Sequence, residues 1–228
     1  MSKTPGQIAL PLIERKRRGG ARKGAGRKPN GVVAGVPHQT RFTHKARHPV
    51  HVTMKAREGL PSLRGDKLIL RAVRASLAAA HKEAFRVVHF SVQSNHLHLI
   101  VEAEDTVSLS RGMQGLTSRM ARAVNRALGN KGAIFADRYH AHALSTPRAT
   151  RNALLYVLQN WAKHGPGGAY DPHSSAIWFD GWAHPLPDES PPPLVAKAST
   201  WLITIGWRRH GLLRTDERPG KPQHAHAA

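Results

Sequence analysis

Apolar and polar positions alternate through "HPVHVTMKA", residues 48 to 56, with Val50, Val52 and Met54 on one side. A period of two predicts a strand with one buried face. The period then lengthens. From Asp66, the residues Leu70, Val73, Leu77 and Ala80 recur at helical spacing, and Asp66 is placed to cap the first turn. "FRVVHFSVQS" and "HLHLIVEAE" read as two adjacent strands joined by a short polar turn near Gln93 to Asn95. A second helix is predicted from about Ser108 to Leu128, with a stripe of Leu109, Met113, Leu116, Met120 and Val124. "AIFADRYHAHALS" reads as a further strand. "TPRATRNALLYVLQNWAKHG" then opens on a threonine cap with proline in the first turn and stops at Gly165. The order strand, helix, strand, strand, helix, strand, helix predicts an α+β fold. Its expected form is a ferredoxin-like sandwich, an antiparallel sheet with helices on one face.

Flanking this pattern, residues 1–47 mix Arg and Lys with Gly and Pro ("ERKRRGGARKGAGRKPNG") and hold too little apolar surface to build a core. They are expected to form a basic disordered tail, with residues 48–165 as the folded domain. Residues 166–228 form a Pro-, Gly- and Trp-rich, irregular extension with one short helix near Ala198 to His210 and a loose end.

Composition narrows the function. The chain of 228 residues carries 35 Lys and Arg against 14 Asp and Glu, a net charge of +21. So basic a chain meets polyanions, and nucleic acid is the leading one. No apolar run approaches the roughly 18 residues of a membrane span, and no amphipathic anchor accompanies the charge. No secretory leader is apparent, so a cytoplasmic, nucleoid-associated location is expected. The absence of cysteine excludes disulfides and thiolate zinc sites. Arg17, Arg18, Arg22, Lys23, Arg27 and Lys28 in the tail are candidate phosphate contacts. Arg138 and Lys163, nearer the core motifs, are further candidates, and Arg119, Arg122 and Arg126 could form a stripe along the second helix.

Three His-x-His pairs occur, His96/His98, His140/His142 and His224/His226, and with 16 histidines such pairs arise by chance. Context separates them. On a strand, His96 and His98 present two imidazoles to one face while Leu97 and Leu99 enter a core. A divalent metal acting on phosphate needs a further ligand and open positions. "YVLQN" places Tyr156 and Asn160 one helical turn apart on a common face, where an amide ligand and a phenolic nucleophile could meet the ion. The alternative is a buried aromatic beside a helix end. Gln159 lies three residues from Tyr156 and competes with Asn160. Tyr139 and Tyr170 are the other tyrosines, of which Tyr139, beside the second histidine pair, is the rival.

Together, "QSNHLHLIVE" and, about 60 positions on, "LLYVLQNWAKHG" resemble the HUH single-strand DNA transposases with one catalytic tyrosine, especially the REP-associated tyrosine transposase branch. "FADRYHAHAL" resembles the strand before the tyrosine helix, and "GGARKGAGRKP" the basic leader of that branch. The resemblance spans roughly residues 15 to 165. It implies His96, His98 and Asn160 as ligands of Mg²⁺ or Mn²⁺ and Tyr156 as nucleophile. It also implies a single-stranded DNA substrate containing a hairpin, a 5′-phosphotyrosine intermediate, and a monomer or homodimer. "NWAKHG" departs from the Asn-Pro that usually follows the tyrosine in the branch. Two alternatives compete with strand transfer: a catalytically silent, domesticated hairpin-binding protein, and a replication or conjugation initiator.

Overall fold

A computed structural model describes residues 42–160, 170–184, 186 and 191–218, all within one compact unit. The basic tail residues Arg17, Arg18, Arg22, Lys23, Arg27 and Lys28, together with Lys163, Trp161 and the His224/His226 pair, lie outside the described residues.

Four strands, β1 (Val50–Lys55), β2 (Phe85–Val92), β3 (His96–Ala103) and β4 (His140–Ala143), form one antiparallel sheet in the order β2-β3-β1-β4. That is the order of a ferredoxin-like sandwich, so the fold predicted from the element sequence is the fold observed. Helices α1 (Lys67–Ala78) and α2 (Thr106–Leu128) pack together on one face. Asp66 caps α1 by accepting from the backbone N–H groups of Leu68 and Ile69. The stripe from Leu109 to Val124 is the buried side of α2. Ile69, Val73, Met113 and Leu116 meet Val52, Phe90, Leu97 and Leu99 of the sheet in the larger core. Backbone approach is close here. A Cβ on Gly112 of α2 would fall 2.1 Å from the Phe85 ring, so glycine is the only residue that fits.

The third helix, α3 (Pro147–Gln159), lies on the opposite face of the sheet, so helices α1 and α2 alone share the face expected for all three. Thr146 caps α3 and Pro147 begins it. Leu154, Leu155 and Leu158 of α3 build a second core with Ile100 of the sheet and with Phe179, Trp182, Ile203 and Trp207. A bulge in β2 assists: the register shifts between Val87 and His89, and Val88 enters this second core. Burial holds the His89 imidazole down to about 4, beside the Ser175 hydroxyl 3.2 Å away.

The described residues beyond 170 contain little regular structure, yet they close this face. The helix expected near Ala198 to His210 is broken into α4 (Trp201–Thr204) and a 3-10 helix, Gly206–His210. Its anchor is Glu102, 2% exposed at the end of β3. The Glu102 carboxylate accepts from the N–H and hydroxyl groups of both Ser199 and Thr200 at 2.7–3.2 Å, and the Arg86 guanidinium lies 3.6 Å away. Residues 211–217 run along α3. Arg151 donates to the Gly211 and Leu212 carbonyls and pairs with both Glu217 oxygens at 2.7 and 2.9 Å.

Glu102→Leu leaves four donors and the Arg86 charge without an acceptor. A loss of about 3–5 kcal/mol is expected, read as an earlier urea midpoint with early exposure of Trp182 and Trp207 fluorescence.

Candidate functional site

The β2–β3 turn is pinned before its histidines begin. Gln93 N–H donates to the His96 carbonyl, Leu63 N–H to the Ser94 carbonyl and Ala56 N–H to the Asn95 carbonyl, at 2.8–2.9 Å. Side chains brace the same turn. Gln93 donates to Ser91 at 2.6 Å and accepts from Arg64, which pairs at 2.9 Å with the fully buried Asp171 of the extension.

From that turn, β3 alternates. Leu97, Leu99 and Val101 enter the larger core, while His96 and His98 point toward α3. Their ring centroids are 4.6 Å apart. The Tyr156 ring stands edge-on to His98 at 4.9 Å. The strand pair and the distant helix therefore meet in space, on the face opposite α1 and α2. The neighbouring strand adds a residue that sequence reading missed. His51 of β1 lies 5.4 Å from His98 and 5.8 Å from Tyr156. A lone histidine carries no motif, but its place on the polar side of the alternating β1 pattern is the signal that could have found it. Across the sheet, β1 pairs His51 with His142 and Thr53 with His140, so the second His-x-His pair flanks the same face, exposed on the outer strand.

Hydrogen bonds set the imidazoles. His98 Nδ1 lies 3.1 Å from Thr53 Oγ1, and among the described residues its buried Nε2 has no hydrogen-bond partner. His96 Nδ1 lies 2.7 Å from the Asn95 side-chain oxygen. Because that oxygen only accepts, the His96 proton sits on Nδ1 and Nε2 keeps its lone pair. Burial, with His51 and His96 nearby, holds His98 down to about 2, and burial beside His142 and His140 holds His51 to about 4. His51 and His98 are therefore neutral near pH 7. Burial raises the Tyr156 phenol above its ordinary value, so it keeps its proton there.

Both amides after Tyr156 are buried. Asn160 caps the end of α3 at 5% exposure. Gln159 donates from Nε2 to the Thr215 carbonyl at 2.9 Å, and its buried Oε1 has no partner among the described residues. The other tyrosines are elsewhere. Tyr139 packs on the larger core, turned to the α1/α2 side, and Tyr170 packs on the second core. Arg138 lines a cleft beside α2. Arg119 donates at 2.7 Å to the Ala79 carbonyl at the end of α1. Among the described residues, no three His, Asp or Glu side chains gather as a metal-ligand set, so the pair His96/His98 would need a ligand of another kind.

The model of the IS200-like transposases matches residues 45–159, half of the chain, and contains both the His96/His98 strand and Tyr156. The chain belongs to the IS200-like transposase family. Its activity class is accordingly that of a DNA transposase. A solved structure described as the REP-associated tyrosine transposase bound to a REP hairpin is similar at 19% identity over 61% of this chain and 82% of that one. Its TM-score is 0.50, a likeness of fold. No curated protein matches. The family match ends at Gln159, so the extension that holds α3 of this IS200-like chain is outside it.

The extension's grip on α3 is testable. Arg151→Ala frees residues 211–217 and is expected to cost about 2 kcal/mol. Backbone amides of that segment would exchange with solvent faster, while the sheet amides keep their protection.

Proposed function

We propose that this chain cleaves and rejoins single-stranded, hairpin-containing DNA with Tyr156 as the nucleophile. The observation that carries the reading is the Tyr156 ring 4.9 Å from His98, whose buried Nε2 has no partner among the described residues. An isolated nitrogen of that kind is costly unless something binds it. The net charge of +21 suits a polyanionic substrate, and the structural neighbour is described as bound to a DNA hairpin.

Tyr156 Oη attacks a phosphorus of the strand, losing its phenol proton. The bond from phosphorus to the 3′ oxygen breaks, and that oxygen takes up a proton. The products are a 5′-phosphate joined to Tyr156 and a free 3′-hydroxyl, and rejoining is the reverse step. His96, His98 and a side-chain amide would hold Mg²⁺ or Mn²⁺, which would supply positive charge beside the phosphate oxygens. Neutral imidazole and amide ligands leave that charge undiminished. Thr53 and Asn95 orient the two imidazoles as partners of metal ligands do. Asn160 shares the Tyr156 face of α3 and is the proposed third ligand. Gln159 is the second reading, because its Nε2 is fastened to Thr215 while its Oε1 faces no partner among the described residues. The basic tail, from Arg17 to Lys28, and Lys163 would contact phosphates.

Incubation with a single-stranded hairpin and Mn²⁺ is expected to give a protein–DNA adduct that survives denaturation. The adduct is absent with EDTA and absent in Tyr156→Phe. An adduct formed by Tyr156→Phe would sink the assignment of the nucleophile, and tight hairpin binding by the wild type without any adduct would favour the silent binder.

Calorimetric Mn²⁺ titration decides between the amides. Asn160→Ala is expected to weaken binding at least about tenfold, with Gln159→Ala changing it little. The opposite result transfers the ligand role to Gln159.

A further inference from the structure

A shallow cleft of about 440 Å³ lies on the outer side of α1, where Leu194 of the extension comes alongside the helix. Lys67, Leu70, Arg71, Arg74, Ala75 and Leu194 line it. Its edge is fixed by hydrogen bonds. His81 Nε2 donates to the Leu194 carbonyl at 3.1 Å, and Ala196 N–H donates to the Val87 carbonyl at 2.9 Å. The Trp178 indole donates to the Pro191 carbonyl at 2.7 Å. Leu70 and Leu194 pack on the larger core and form the floor.

The charge of the cleft has one sign. Lys67, Arg71 and Arg74 follow one another at spacings of four and three residues, so they share one face of α1 over about 10 Å. Among the described residues, no carboxylate lines the cleft, and Lys67 and Arg71 make no ion pair. Arg74 donates to the Pro172 carbonyl at 3.3 Å, which leaves its charge uncompensated. Apolar surface lies among these cations. Leu70, Ala75 and Leu194 supply it, and Leu68, 58% exposed and one turn from Arg71, extends it.

An occupant has to meet both the cations and the apolar floor. The phosphates of a nucleic acid would pair the cations and leave Leu70 and Leu194 in water. A bilayer would need the apolar stripe of α1, yet Ile69, Val73 and Leu77 are buried beneath the helix. A peptide segment whose carboxylates flank a large apolar side chain meets both parts at once. Its acids match the cations, and its apolar residue covers the floor.

We propose that this cleft docks an acidic segment of a partner protein, with an apolar side chain seated on Leu70 and Leu194 and carboxylates paired with Lys67, Arg71 and Arg74. Helix α1 lies on the sheet face opposite α3, so a partner bound there leaves His96, His98 and Tyr156 open. The contact recruits the transposase and takes no part in its chemistry. It stands independently of the cleavage reading.

Fluorescence anisotropy with the full chain tests it. The probe is a short synthetic peptide of Asp and Glu with Leu and Phe at its centre. The control is the same peptide with Ser in place of Leu and Phe. The wild type is expected to bind the probe at least about tenfold more tightly than the control. Lys67→Glu combined with Arg71→Glu reverses two exposed charges and is expected to weaken probe binding at least about tenfold. Leu194→Ser is expected to bring the preference for the probe over the control below about threefold. Unlabelled hairpin DNA in excess should leave the probe bound. No binding of the probe by the wild type, equal binding of probe and control, or full affinity in the charge-reversed variant overturns the proposal. Displacement of the probe by the hairpin also overturns it and assigns the cleft to nucleic acid.

Discussion

Strand β3 is buried on both sides, and its period of two assigns each residue a different obligation. Leu97, Leu99 and Val101 fill the core beneath α1 and α2. His96, His98, Ile100 and Glu102 face the other way, toward α3 and the extension. A slip of one residue would bury the imidazoles and the carboxylate among aliphatic side chains, at several kcal/mol for each unpaired polar group. The polar set therefore helps fix the register, and the register brings His98 opposite Thr53 and within reach of Tyr156.

That second face divides into an apolar part, a polar part that docks the extension and a part that carries the histidines. Ile100 joins α3 in an apolar cluster closed by Phe179, Trp182 and Trp207. Glu102, at one end of the strand, is saturated by hydrogen bonds and docks the extension. His98, toward the other end, has one nitrogen beside the Thr53 hydroxyl and one with no partner among the described residues. Full satisfaction at Glu102 gives rigidity. The same extension grips α3 through Arg151 and Gln159 and braces the β2–β3 turn through Asp171. Both halves of the candidate site are thus held by residues beyond the family match, so those residues belong to the same folded unit as the site.

Much of this was legible along the chain. The alternation in residues 48–56, the helical stripe from Leu109 to Val124, and the Asp66 and Thr146 caps are local signals, and each element appears where its pattern lies. The His96/His98 pair and Tyr156 stand out because strand and helix periodicity alone put each on a defined face. The role of residues 170–218 was not legible, because their packing uses single aromatic residues and backbone carbonyls without any period. Arg151 pairing with Glu217, 66 positions away, leaves no trace in either local segment.

The sequence by itself determined the kinds and order of the elements, the face each histidine takes on its own strand, and a charge suited to DNA, because these follow from local periodicity and composition. Only the tertiary structure decided that α3 crosses to the face opposite α1 and α2. It alone brought His51 beside Tyr156, turned Tyr139 away, and made the extension part of the core. Those outcomes depend on strand order and on which buried polar atoms find partners, and no local pattern encodes either.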